Sequence, residues 1–147
     1  MKRTLVLLAA AAAIATPAMA RDAIDSPASA AGVVKAYYAA IARHDYHAAW
    51  LCWEPGSRQA GANETVFRRG FARTYSVRAT VGKPFDGEGA AGSMYIKVPV
   101  EIWSTLIGGK RQHFRGSYTL RRVNNVDGAT PDQLRWHLYS ATLRDVR

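Results

Sequence analysis

Four histidines, one cysteine and 11 carboxylates are the side chains of this 147-residue chain suited to acid–base, nucleophilic or metal chemistry, and their spacing narrows what each can do. His44, Asp45 and His47 crowd across one turn boundary with no distant fourth ligand, so no metal site is read there. Asp45 is explained as a helix cap. His113 and His137 fall in different strands, where they could pair across a sheet, yet neither has a neighbouring carboxylate in sequence to orient its imidazole as a general base requires. Cys52 lies in Trp50-Leu51-Cys52-Trp53, an apolar setting that raises a thiol's pKa, and reads as a small buried hydrophobe. Ser57 has no nucleophile-elbow context, and no glycine loop fits a phosphate cradle. No cofactor is implied.

Glu101 is the one carboxylate inside a strand pattern, with Trp103 at spacing two. Lining a pocket, a carboxylate beside an indole would be desolvated and its pKa raised toward that of a useful base. Facing water, it would pair with a neighbouring arginine, and the aliphatic run from Met94 to Leu106 favours this second placement. The aromatics Tyr37, Tyr38, Trp50, Trp53, Trp103, Tyr118 and Trp136 have the spacing either to line a pocket or to fill a core.

The elements that must position these groups begin with a helix opened by Ser26-Pro27, whose apolar stripe is Val33, Val34, Tyr37, Tyr38 and Ile41. A second short helix, capped by Asp45, carries Tyr46, Ala49, Trp50 and Trp53 and ends at Glu54-Pro55-Gly56-Ser57. A third starts at Asn63, with Val66, Phe67, Gly70 and Phe71 on one face. The period then becomes two. Tyr75, Val77, Ala79 and Val81 mark one strand, and residues 82–92 read as a long loop. A long strand follows, with Met94, Ile96, Val98, Val100, Ile102 and Leu106 on one face, and Pro99 within it implies an edge, a bulge or a bend. Ile107-Gly108-Gly109-Lys110 reads as a hairpin turn into a strand over 112–122. Thr130-Pro131-Asp132-Gln133 has capping-box spacing, and the last strand runs over 136–143. Helices followed by four antiparallel strands make an α+β domain with the helices on one face of a curved sheet.

Met1 to Ala20 has the form of a secretory signal peptide: Lys2 and Arg3, an apolar run from Leu5 to Ala15, then Pro17 and small residues. The run is too short to span a bilayer. Cleavage after Ala20 leaves a flexible leader over 21–25, a single domain over 26–147, and a periplasmic or secreted protein. The mature chain carries 18 basic against 11 acidic residues, and export makes envelope anions rather than nucleic acid the relevant partners. Arg111, Arg115, Arg121 and Arg122 are the candidate anion-binding residues, against the reading that the scattered bases are solvated faces.

The segment from Val33 to Trp50, with its aromatic-bearing helix and Asp45-Tyr46-His47-Ala48-Ala49 corner, resembles the opening of the nuclear transport factor 2-like superfamily, also called SnoaL-like or cystatin-like α+β. Residues 91–100, 118–122 and 126–130 are similar to exported proteobacterial proteins of that type. The resemblance implies a cone with a pocket between the first helix and the concave sheet, and pairing of two copies through the outer sheet face. Tyr37, Tyr38, Trp50, Trp103 and Tyr118 are then the pocket candidates. Three functions follow: a non-catalytic domain that binds a small ligand or an envelope protein, an isomerase or lyase using Glu101 with Tyr38, and a basic envelope module that binds anionic polymers or lipids. N-terminal sequencing of the protein exported by a Gram-negative host is expected to start at Arg21; a product that retains Met1 contradicts the export reading.

Overall fold

The computed structural model describes residues 27–146, so the segments read as signal peptide and leader, and the expected Ser26 cap, lie outside the described residues. Helix α1 spans Pro27–Ala42 and buries Val34, Tyr37, Tyr38 and Ile41, as its stripe dictates, with Ala30, Ala31 and Ala40 where a larger side chain would hold it off the sheet. It stops where His44 adopts φ +59° and Asp45 begins α2, Tyr46–Trp50, by accepting a hydrogen bond from the Ala48 amide at 3.1 Å. Trp53 is not on that helix. The chain leaves α2 at Leu51, and Trp53 forms a parallel bridge with Leu138, while the Glu54 amide donates to the Leu138 carbonyl. A single 3-10 turn, Arg58–Ala60, leads to α3, Glu64–Gly70, whose Asn63 cap accepts from the Val66 amide at 3.0 Å. Of the face expected for α3, Phe67 is buried but Val66 is 45% exposed, because the helix has only two turns and only its Phe67–Phe71 side meets α1 and α2.

The sheet has five strands, not four: β1 Thr74–Val81, β2 Phe85–Ala90, β3 Ser93–Leu106, β4 Arg111–Val123 and β5 His137–Asp145, all antiparallel, in the order β1-β3-β4-β5. The added strand is β2, within the segment expected to be a loop. It pairs with the first half of β3, on the edge whose second half pairs with β1. Its sequence, Phe-Asp-Gly-Glu-Gly-Ala, has no apolar alternation, and every residue is exposed; backbone pairing and one ion pair, Asp86 with Lys97 of β3, hold it. Ala91 and Gly92, both at positive φ, make the two-residue turn that fixes its register with β3.

Pro99 sits where the partner of β3 changes from β2 to β1. Val100 pairs with Val81 and Lys97 with Phe85, so the missing amide hydrogen faces the gap between the two strands, and the Pro99 carbonyl accepts from Gly82 at 2.8 Å. A Cβ at Gly82 would lie 2.7 Å from the Pro99 ring. Tyr75, assigned by alternation to the inner face, is 69% exposed because a bulge between Thr74 and Ser76 turns it outward. From Val77 onward the alternation holds. The hairpin at Gly108-Gly109 and the reciprocal capping box of Thr130 and Gln133 form as the sequence indicates.

The core is the inner face of the sheet, with Ile96, Val98, Val100, Ile102, Tyr118, Leu120 and Leu138 under α1. Leu138 and Leu120 are fully buried. Replacing Leu138 with Ala is expected to cost about 2–5 kcal/mol in denaturant unfolding, whereas Val66→Ala should stay within about 0.5 kcal/mol. Gly116→Ala is expected to destabilise strongly as well, because its Cβ would meet the Thr142 carbonyl oxygen of β5 at 1.9 Å.

Candidate functional site

Two recesses lie on opposite faces of the sheet. The first is the cone cavity between the helices and the inner face, about 340 Å³ in volume. Its walls come from α1 (Tyr37, Tyr38), the segment after α2 (Trp53, Gln59), Phe71 beyond α3, and the inner positions of the strands. Those positions follow from period two. Ser104 has the parity of Ile102 on β3, and Gln112 and Phe114 have the parity of Tyr118 on β4. Tyr37 is the hub of the wall rings, with centroids 5.0 Å from Tyr38, 5.9 Å from Tyr118 and 6.0 Å from Trp53, all near-perpendicular edge contacts.

Tyr38 and Tyr118 join their hydroxyls at 2.7 Å across 80 residues of sequence. A phenol hydroxyl carries one hydrogen to donate and can also accept, so one of these two donates to the other, and the accepting one keeps its own hydrogen. The indole N–H of Trp53 is buried with no hydrogen bond of ordinary geometry among the described residues, and the Tyr37 hydroxyl is the acceptor nearest in effect. Burial pushes Tyr37, Tyr38 and Tyr118 well above the usual phenol range, and the crowding of phenols adds to this for all three. At neutral pH the cavity wall is therefore uncharged. It offers hydroxyl, indole and amide donors and apolar rings, and its lining holds no carboxylate, imidazole or amine.

Of the pocket candidates, Tyr37, Tyr38 and Tyr118 line this cavity. Trp50 does not; its ring packs on Phe67 at 5.6 Å and ties α2 to α3. Trp103 does not either, because odd-numbered residues of β3 face outward. Phe114 is a wall residue that sequence reasoning did not single out, and Trp53 is one it left open between pocket and core. The strand parity that placed Tyr118 inward would have found Phe114, but nothing local marks Trp53, whose position depends on its pairing with β5.

Glu101 lies on the outer face, so the sheet separates it from Tyr38. It accepts from Arg115 at 2.6 Å and sits 2.7 Å from His113 Nε2, and these partners, Arg115 first, hold its carboxyl below the usual range. It is a paired carboxylate, not a raised-pKa base. The same contact corrects the expectation for His113, whose carboxylate neighbour comes from the adjacent strand, diagonal in the β3–β4 register. His137 also has one, Asp132 at 3.6 Å, and Asp132 is held below its usual range by Arg135 first. The two histidines therefore do not pair with each other.

The four arginines do not converge. Arg115 is taken by Glu101; Arg121 pairs with Glu54 and donates to Ser93 at 3.0 Å; Arg122 lies over the Trp136 ring at 5.2 Å; Arg111 lines the outer recess. At the α2 corner, His44 bonds Tyr46, His47 bonds Glu64 at 2.9 Å, and Asp45 is occupied as the cap, so the three point to separate partners. Burial raises the Cys52 thiol to about 11, and it donates to the Ala48 carbonyl.

No helix among the described residues is long and apolar enough to cross a membrane. No protein-family model matches the chain, and neither does any curated protein. Solved structures do. A ketosteroid isomerase-like protein from Erwinia carotovora atroseptica superposes with a TM-score of 0.55 at 13% identity, covering 84% of this chain and 98% of that one. A protein provisionally assigned as a dehydratase of the NTF2-like family, from Streptomyces avermitilis, gives 0.53 at 15% over 84% and 98%. One provisionally assigned as an aromatic ring hydroxylase, from Novosphingobium aromaticivorans, gives 0.57 at 14% over 90% and 92%. At such identities the likeness is one of fold.

The buried phenols make a pH prediction. Their folded pKa values lie above the unfolded value of about 10, so the stability they contribute is complete below about pH 10 and is lost as pH rises beyond it. In an alkaline titration followed by the phenolate ultraviolet band, three of the seven tyrosines should ionise only as the protein unfolds. Smooth titration of all seven in the folded state contradicts the buried cluster.

Proposed function

We propose that this chain, which has the nuclear transport factor 2-like cone fold, is an exported domain that binds a small, uncharged, largely apolar molecule in the cone cavity without transforming it. The observation that carries this reading is the wall itself: rings and neutral donors around about 340 Å³, with Glu101, the carboxylate the sequence offered as a base, on the other side of the sheet. That volume lies at the lower end of the range for ligand pockets, about 300–1,000 Å³. Several structural neighbours are described as dehydratases or isomerase-like proteins. Proton abstraction in this cavity would need a base, and phenols raised by burial do not supply one at neutral pH.

The ligand class follows from the donors. The Trp53 N–H and the Tyr38–Tyr118 pair can both donate to an oxygen acceptor, so a ketone or similar carbonyl on a ring-sized apolar body suits the site. A charged ligand would lose hydration with no counter-ion in the wall.

Titration with 2-acetylnaphthalene, followed by the indole N–H resonances, is expected to shift the Trp53 signal. Tyr118→Phe should weaken binding by about 3–10-fold, the worth of one hydrogen bond, and Glu101→Gln should leave it unchanged. A Trp53 signal indifferent to this and to smaller aryl ketones, or binding that depends on Glu101, would overturn the reading.

A further inference from the structure

The second recess, on the outer face, is larger, about 720 Å³, and its lining differs from that of the cone. Arg78 on β1, and Lys110 and Arg111 at the β3–β4 hairpin, bring three cations to it; Asp145 is the one carboxylate among its lining residues. None of the three cations forms an ion pair within the described residues. The neighbouring Glu101 is already shared by Arg115 and His113, and Asp145 joins no ion pair there either.

The Arg78 guanidinium is also held in place. It lies 4.3 Å from the centroid of the Trp103 ring, and Trp103 stacks on His113 at 5.1 Å with 12° between planes. His113 is in turn fixed by Glu101 at 2.7 Å. This stack crosses three strands in register, since Arg78 pairs with Trp103 and Trp103 with His113. A guanidinium packed on an indole has given up much of its rotamer freedom, so the donors it keeps cost less to order around a ligand. Lys110 and Arg111 follow the Gly108-Gly109 turn, which sets them at the rim of the same recess. Thr105 adds a neutral polar group, while Ser104 and Gln112, bonded to each other at 3.1 Å, border both this recess and the cone cavity. Three like charges converging on a recess, with one carboxylate among them, repel one another unless an anion enters.

We infer that this outer recess is a binding site for phosphate-bearing molecules, with Arg78 as its fixed donor and Lys110 and Arg111 as its mobile clamp. It opens on the face of the sheet opposite the cone cavity, and the two recesses share only the border residues Ser104 and Gln112 among their lining. The phosphate can belong to a soluble compound or to a lipid headgroup; the fork of an arginine and the point charge of a lysine suit either.

Calorimetric titration of the folded chain with inorganic pyrophosphate at low ionic strength tests the soluble source, and co-sedimentation with phosphatidylcholine vesicles containing phosphatidic acid tests the lipid source. Binding is expected in at least one arm, weakening as salt rises. Arg78→Gln and Lys110→Gln should each weaken it by about tenfold or more. Arg58→Gln removes the same charge elsewhere and should leave it within about twofold. Lys110 is in an exposed turn, so K110Q is the variant least able to disturb folding, and matched melting curves for all three separate lost binding from lost structure. No binding in either arm, or equal weakening by Arg58→Gln, overturns the proposal.

Discussion

A hydrogen bond between two phenols, Tyr38 on α1 and Tyr118 on β4, is the constraint on which the rest of the molecule turns. Both rings are buried, and a hydroxyl removed from water without a partner costs about 1–3 kcal/mol. Tyr38 therefore needs Tyr118, whose hydroxyl also interacts with that of Tyr37, and the meeting fixes how deep α1 lies across the sheet. The helix cannot slide or roll without breaking that contact or the edge packing of Tyr37 on Tyr38, Tyr118 and Trp53. A helix held at this depth by bulky rings leaves a space beyond them, and that space is the cone cavity.

The sheet contributes curvature and separation. Gly82 against Pro99 and Gly116 against Thr142 allow backbone approaches that a Cβ would block. Strict alternation along β3 and β4 then sorts the side chains into an apolar inner face and a charged outer one. Ile102 and Tyr118 face the helices, whereas Glu101, Trp103, His113 and Arg115 face away. Two kinds of recess arise from one sheet because its two faces have different cover: neutral donors and rings on the side the helices cover, cations and a shared carboxylate on the side they do not.

What the sequence reveals follows from how local the signal is. The α1 stripe, the Asp45 and Asn63 caps, the Gly108-Gly109 hairpin and the inward parity of Tyr118 are each written within a few residues, and all are legible. The strand β2 is not, because an exposed Gly-Asp-Glu segment held by backbone pairing and one ion pair has no apolar pattern to read. The outward turn of Tyr75 depends on a one-residue bulge. Trp53 enters the cavity wall through a bridge to Leu138, 85 positions away, and the Glu101–His113 contact depends on cross-strand register. Long-range register therefore decided which aromatic residues became wall and which carboxylate became salt bridge. Composition and spacing alone leave that choice open.

The most direct test of the central claim is a double-mutant cycle of Tyr38→Phe and Tyr118→Phe, with stability read from denaturant unfolding. Each single change leaves a buried hydroxyl without its partner in this bond and the double change removes both members, so the single losses should sum to more than the double loss by about 1 kcal/mol or more. Losses that add to within about 0.3–0.5 kcal/mol would mean that the two phenols do not depend on each other. The helix would then be set on the sheet by something else.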